Sequence, residues 1–177
     1  VAEDRRAVAA IAADALRAAA NPYLLRPAAT QAPTPARTQN AHPVDVIMPV
    51  FEGEAQTLRA IQSVLTARNE CRWNLVVCYD NPANVSLLAK IRELQSGAMF
   101  ELVENAANLG FTSTVNRGMA LHPERDVVLL NADAAVNGNW LDRLQRAVYS
   151  DAAIGTVTPF SNNATICSYP RFAAANE

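Results

Sequence analysis

Four short segments of this sequence follow apolar runs and carry residue types that bind or polarise a ligand: Pro49 to Glu52, Asp80-Asn81, Asn108 to Phe111, and Asn131 to Asp133. In open parallel sheets ligands sit outside the carboxyl ends of the strands, so residues just past an apolar run are the ones to weigh. Asp133 follows Val127 to Leu130. A carboxylate there can ligate a hard divalent cation, which takes oxygen ligands and bridges them to a diphosphate. The same position suits an Asp that closes a turn through local backbone hydrogen bonds. Asp80 carries two readings as well: acceptor for the N–H of a nucleobase, or opener of the turn that Asn81-Pro82 closes. Neither residue alone decides between them.

Other chemistries lack their residues. No G-x-G-x-x-G and no G-x-x-x-x-G-K-[ST] occurs, so the glycine loops of dinucleotide and P-loop sites are missing. His42 lies in a Pro-rich stretch and His122 precedes Pro123, which leaves a Ser–His or Cys–His couple without a base; both histidines read as ordinary surface residues. Cys71, Cys78 and Cys167 have no metal-type spacing and are odd in number, which favours a reducing, cytoplasmic location and structural thiols. Trp73 and Trp140 stand at element starts and read as packing residues.

The elements that must position these segments alternate in type. Val44 to Met48, closed by Pro49, is a strand; Leu58, Ile61, Val64 and Leu65 recur at helical spacing. Leu75 to Tyr79 is the second strand, followed by a helix through Val85, Leu88, Ile91 and Leu94 that ends near Gly97. A third step runs from the strand Phe100 to Val103 to a helix over Thr112 to Leu121. Asp126 to Leu130 is the fourth strand, and a helix from Trp140 to about Tyr149 follows, with Asn139 placed to cap it and Asp142 at its positive end. Ile154 to Thr158 reads as a fifth strand. Alternation in units of this size implies an α/β fold with a mostly parallel sheet covered on both faces, because parallel neighbours need crossovers.

The order of these strand ends resembles family 2 glycosyltransferases, which have the GT-A fold. The resemblance runs through Val44 to Glu52, Val76 to Asn81, Asn108-Leu109-Gly110-Phe111 with Asn116 and Gly118, and Leu129 to Asp133. The block N-L-G-F-x-x-x-x-N-x-G is its most specific piece and is similar to the rhamnosyltransferase-like branch. Asn131-Ala132-Asp133 resembles that branch's variant of the D-x-D motif, with Asn in the first acidic position.

The resemblance implies a role for each matching residue. Pro49, Val50 and Glu52 would line the nucleotide pocket, and Asp80 would hydrogen-bond the base, uracil or thymine. Asn108, Gly110 and Asn116 would shape the wall near the ribose and diphosphate. Asn131, Ala132 and Asp133 would lie at the ribose and the metal, with Asp133 a ligand to Mn2+ or Mg2+. The implied reaction transfers a sugar from a UDP- or dTDP-sugar to a glycan or lipid-linked acceptor with inversion, the metal acting as a Lewis acid on the leaving group. In the family the general base toward the acceptor follows the fifth strand, and here it would fall beyond Glu177. Asp142 and Asp151 precede that region and are not taken as the base.

Composition sets the frame. The chain has 177 residues, half of them apolar, enough for one domain with a small appendage. Fifteen Lys and Arg against seventeen Asp and Glu leave a net charge of −2 with no block of like charges, so a nucleic-acid stripe is not expected. No apolar run approaches the roughly 18 residues that span a bilayer, and no signal peptide is evident, so any membrane contact of a parent enzyme is expected to be peripheral.

Residues 1–25 read as a helical segment stopped at Asn21-Pro22, residues 26–43 as a Pro-rich linker, and residues 44–177 as an incomplete GT-A domain that binds a nucleotide sugar, truncated on its C-terminal side. A start at Val1 fits a processed or excised piece. Such a piece is expected to be inactive alone and to leave an edge uncovered, inviting self-association or a fold-back of the N-terminal helix. The rival readings are a non-catalytic nucleotide-sugar-binding module, a nucleotidyltransferase, and a receiver-like domain. The second would want a basic glycine-rich loop where Phe51-Glu52-Gly53-Glu54 is acidic, and the third a Lys at the end of the last strand.

Overall fold

Strand β1, Val44–Val50, forms where β-branched residues crowd one segment, and all but one of its residues are buried. A computed structural model describes residues 42–162 and 167–171. These belong to one compact unit, Ala36–Glu177. The helix expected over residues 1–25 and nearly all of the linker over 26–43 lie outside the described residues.

After β1 come α1 (Glu54–Thr66), β2 (Trp73–Tyr79), α2 (Val85–Gly97), β3 (Glu101–Glu104), α3 (Phe111–Met119), β4 (Asp126–Leu129) and α4 (Trp140–Val148). The four strands form one sheet in the order β3-β2-β1-β4. Every pairing is parallel, with Val50 opposite Tyr79, Tyr79 opposite Glu104, and Ile47 opposite Leu129. The chain therefore steps outward from β1 to β3, then crosses back to place β4 on the other side of β1. All four carboxyl ends share one edge, and the reversal at β1 opens a crevice there.

Alternate residues of each strand face opposite sides. On one side Val46, Met48, Val50, Leu75, Val77 and Tyr79 pack with Ile61 and Val64 of α1, Leu87 and Ile91 of α2, and Leu141 of α4. On the other side Ile47, Val76 and Cys78 pack with Val103 and with Met119 of α3. There α3 comes very close: a Cβ on Gly118 would lie 2.8 Å from Cys78 Sγ and 2.9 Å from Ile47 Cγ2. Burial holds the Cys78 thiol up at about 11, with Asp80 adding to the rise and the Arg117 charge opposing it, so Cys78 is a packing group and not a thiolate.

Several expectations need correction. Residues 154–158 form no strand; Gly155 interrupts the apolar run, Ile154 is 36 % exposed, and no strand among the described residues accepts it. Farther on, an isolated bridge joins Ser161 and Ser168. Among the described residues, cover on the second face is incomplete, since Val127 and Leu129 of β4 are exposed. β3 and α3 each sit one residue from the expected start, β4 ends one residue early, and α2 buries Leu87 with Ile91 while Val85 is exposed.

Asn139 makes no side-chain cap on α4; Asn69 Oδ1 accepts the Leu141 amide at 2.9 Å instead. Asp142 at that end accepts the amides of Glu70 and Cys71, at 3.0 and 2.9 Å for the shorter contacts. Nor is His122 an ordinary surface residue. Its Nδ1 lies 2.7 Å from the buried Asp45 carboxylate, which also accepts from Arg125 at 2.8 Å, so a buried charge is paired. Trp73 and Trp140 pack against the core as expected. Among the described residues no helix is long and apolar enough to cross a membrane.

Candidate functional site

The carboxyl ends of β1 and β2 are tied together before any ligand is considered. The amide of Asp80 donates to Val50 O at 2.8 Å, and Asn81 Nδ2 donates to Phe51 O at 2.9 Å. The Asn105 amide, just past β3, donates to Tyr79 O at 2.9 Å. Three strand ends thus form one rigid rim.

Asp80 is the centre of that rim, 4 % exposed. Its Oδ1 accepts from Asn105 Nδ2 at 2.7 Å and from the Leu109 amide at 2.8 Å; its Oδ2 accepts from the Gly110 amide at 2.9 Å. Burial works against ionisation, but the Leu109 amide, the Asn105 amide group, the Thr114 hydroxyl and the Gly110 amide together outweigh it and hold the carboxyl below its usual range. Asp80 is an anion at neutral pH.

The loop it holds leads into α3. Gly110 has φ 78° and ψ 163°, a region essentially reserved for glycine, and the space around its missing Cβ is open. The glycine is therefore required by the backbone turn and not by crowding. Its amide is shared with Asn108 Oδ1 at 2.9 Å, which closes the loop on itself.

A cleft of about 320 Å³ lies against this rim. Pro49, Val50 and Phe51 supply one wall, Asp80 the floor, and Asn108, Gly110, Phe111 and Thr114 the other wall. Of the residues expected from sequence, Pro49, Val50, Asp80, Asn108 and Gly110 are brought together here. Glu52, Asn116, Asn131, Ala132 and Asp133 do not line this cleft. Glu52 and Asn116 are exposed, and Ala132 packs against the core.

Asn131 and Asp133 sit in the turn after β4, on the far side of β1 from Asp80; the Ala134 amide donates to Asn131 O at 3.1 Å. Asp133 is exposed, and its carboxylate takes no hydrogen bond from the described residues. Among the described residues no three His, Cys, Asp or Glu side chains group around a cation position. One free carboxylate still fits Mg2+ or Mn2+, which are commonly held by one or two carboxylates together with substrate phosphates.

Sequence reasoning gave Phe51 and Phe111 no role of their own, and it missed Thr114 and Asn105. Phe51 and Phe111 are 46 % and 58 % exposed, so these two rings face the cleft where a linear pattern reads core. A signal was present: each aromatic lies within a strand-end segment already singled out, Pro49 to Glu52 or Asn108 to Phe111. Asn105 had none, because its partners lie on other elements.

The family model for glycosyl transferase family 2 matches residues 45–172, well over half of the chain. Comparison with curated proteins finds no match. Among solved structures, the crystal structure of S. aureus TarS residues 1–349 is similar over 71 % of this chain and 43 % of that chain, with 15 % identity and a TM-score of 0.49. The chain spans less than half of that TarS chain. The parallel α/β sheet, the strand-end cleft and the span of the family match agree, and this chain belongs to glycosyl transferase family 2.

Proposed function

We propose that this chain is the donor-binding part of a glycosyltransferase that moves a sugar from a UDP- or dTDP-sugar to a glycan or lipid-linked acceptor with inversion. The observation that carries the reading is the cleft at the ends of β1 and β2, whose floor is the buried, ionised Asp80 and whose walls include Phe51 and Phe111. A nucleobase fits such a place: it has flat apolar faces and a polar edge with an N–H that a carboxylate can accept.

β1 separates this cleft from Asn131–Asp133, so a ligand whose base lies at Asp80 extends its diphosphate across Pro49 and Val50 toward Asp133. There Asp133, with Asn131 beside it, would hold Mn2+ or Mg2+, which supplies positive charge for the departing nucleoside diphosphate. Asp80 and Asn108 orient the nucleoside, and Phe51 and Phe111 exclude water from its base. Asp142 is not the base toward the acceptor, because its carboxylate is committed to the Glu70 and Cys71 amides. A parallel to the rhamnosyltransferase-like branch supports a deoxyhexose donor.

A second reading, a nucleotide-sugar-binding module without chemistry, is favoured by one fact: the single carboxylate lining the cleft, Asp80, already accepts from three groups of the protein. Calorimetric titration with UDP and dTDP, with and without Mn2+, tests the shared donor-site claim. Metal-dependent binding that Asp80→Ala and Asp133→Ala both abolish is expected; no binding under any condition sinks both readings. Incorporation of label from a UDP- or dTDP-sugar into acceptor by the enzyme that contains this chain separates the transferase from the binding module.

A further inference from the structure

We propose that Phe160 and Tyr169 form a stacking platform for a sugar ring of the acceptor glycan, a binding place separate from the donor cleft. The inference rests on the transferase reading above, since an enzyme that moves a sugar must also hold the molecule that receives it.

The two rings lie 5.6 Å apart, centroid to centroid, with their planes tilted by 43°. They are 77 % and 64 % exposed, and neither lines the donor cleft. Phe160 precedes Ser161 and Tyr169 follows Ser168, the two residues of the isolated bridge. There the Ser161 amide donates to Cys167 O at 2.8 Å, and the Tyr169 amide donates to Ser161 O at 3.0 Å. These bonds fix the two aromatic residues relative to one another before any ligand arrives. Ser168 is 6 % exposed. Neighbours in extended backbone face opposite ways, so the register that turns Ser168 inward turns Tyr169 outward. Burial of apolar area alone favours the reverse, a tyrosine inside and a serine in water. Holding both rings in water works against the stability of the fold, and a surface built for contact explains it.

The chemistry of the patch matches a carbohydrate. The face of an aromatic ring carries negative charge density and its edge positive. A pyranose has faces of polarised C–H groups, which such a ring attracts, and a rim of hydroxyls, which need hydrogen-bonding partners. Ser161, Asn162 and Arg171, all exposed, stand within two residues of the rings and bring a hydroxyl, a carboxamide and a guanidinium. A nucleobase would stack on the same rings, but under the donor reading it has the Asp80 cleft, with Phe51 and Phe111 of its own.

The test titrates three soluble probes, cellohexaose, chitohexaose and rhamnan oligosaccharides, into the chain while NMR follows the ring protons of Phe160 and Tyr169. UDP in Mn2+ is titrated in parallel by calorimetry. The variants are Phe160→Ala, Tyr169→Ala, Tyr169→Leu and Tyr169→Phe; both positions are exposed, so all four should melt with the unmodified chain. At least one probe is expected to shift both rings. Phe160→Ala and Tyr169→Ala should each weaken that probe on the order of 3- to 10-fold, the worth of one aromatic contact. Tyr169→Leu should weaken it as much, because leucine has apolar area and no π face, whereas Tyr169→Phe should stay within about twofold. UDP affinity should be the same in all.

Rings that none of the three probes shifts overturn the proposal. So does a Tyr169→Leu variant that binds as the unmodified chain does, since the contact is then merely apolar. UDP that shifts these rings, or that the variants weaken, assigns them to the donor site instead. Ring shifts that follow protein concentration without sugar make the patch an interface between copies and also overturn it. A chain that binds UDP and no probe loses the platform and keeps the donor site; one that binds a probe through these rings and no UDP loses the donor reading and keeps the glycan platform.

Discussion

The Gly110 amide donates to Asp80 Oδ2 at 2.9 Å across thirty residues of chain. Through that bond, and its neighbour from Leu109, the loop before α3 is fastened to the end of β2, and one wall of the cleft is fixed relative to its floor. The carboxylate is thus both a candidate ligand contact and a structural clasp, which separates its mutational signature from that of Asp133.

Asp80→Asn should therefore lower stability by about 1–3 kcal/mol, the cost of weakening charge-assisted bonds at a buried group, and speed hydrogen exchange at the Leu109 and Gly110 amides. Asp133→Asn should change stability by no more than about 0.5 kcal/mol, because its carboxylate is exposed and takes no bond from the described residues. Denaturant melts of the two variants, read with nucleotide binding in Mn2+, check the contrast. Equal stability loss in both would contradict the geometry.

Asp142 gives the fold a pH dependence. Burial opposes its ionisation, but the Glu70 and Cys71 amides, the Cys71 thiol and the Arg146 charge hold the carboxyl below its usual range. The same contact, after burial itself, pushes the Cys71 thiol up to about 12. Because the folded value lies below the unfolded one, about 3.9, the stabilisation is complete above that pH and is lost as pH falls through the folded value. Asp142→Asn should cost about 1–2 kcal/mol at pH 7, and the gap to the unmodified chain should close below about pH 4. Urea melts at a series of pH values measure it.

Gly118→Ala should destabilise the chain, although alanine is the better helix former by about 1 kcal/mol. The new Cβ would meet Cys78 Sγ at 2.8 Å and Ile47 Cγ2 at 2.9 Å, and overpacking of a filled core costs about 1–3 kcal/mol. Adding Cys78→Ala removes the nearer obstacle and should recover part of the loss in a thermal melt. A single substitution that raises Tm would show that α3 can lift off the sheet freely.

Ile47 and Leu129 are opposite one another in register and so share a sheet face, yet they should respond differently. Ile47 is fully buried under α3, whereas Leu129 is 51 % exposed. Ile47→Ala should cost about 2–5 kcal/mol. Leu129→Ser should cost less than about 1 kcal/mol, since little apolar area leaves a packed environment. Equilibrium unfolding of the pair checks whether the second face is as incompletely covered at β4 as its exposure indicates.

Much of this protein is local and can be read along the chain. Alternating β-rich runs and helical spacing place four strands and four helices within one or two residues, because burial periodicity is a property of neighbouring residues. The strand-end rule likewise brings out Pro49, Val50, Asp80, Asn108 and Gly110, and the family match follows the same order of motifs. What the sequence alone left open is whatever depends on partners from elsewhere in the chain. Residues 154–158 have an apolar run suited to a strand, but a strand exists only where a neighbour accepts its backbone hydrogen bonds, and among the described residues none does. Asn139 has the type of a cap, while Asn69 and Asp142 do the bonding at that end. Asp80 carries two readings in one dimension; only the folded chain brings Asn105, Leu109 and Gly110 to its carboxylate and determines how much of it is left for a ligand.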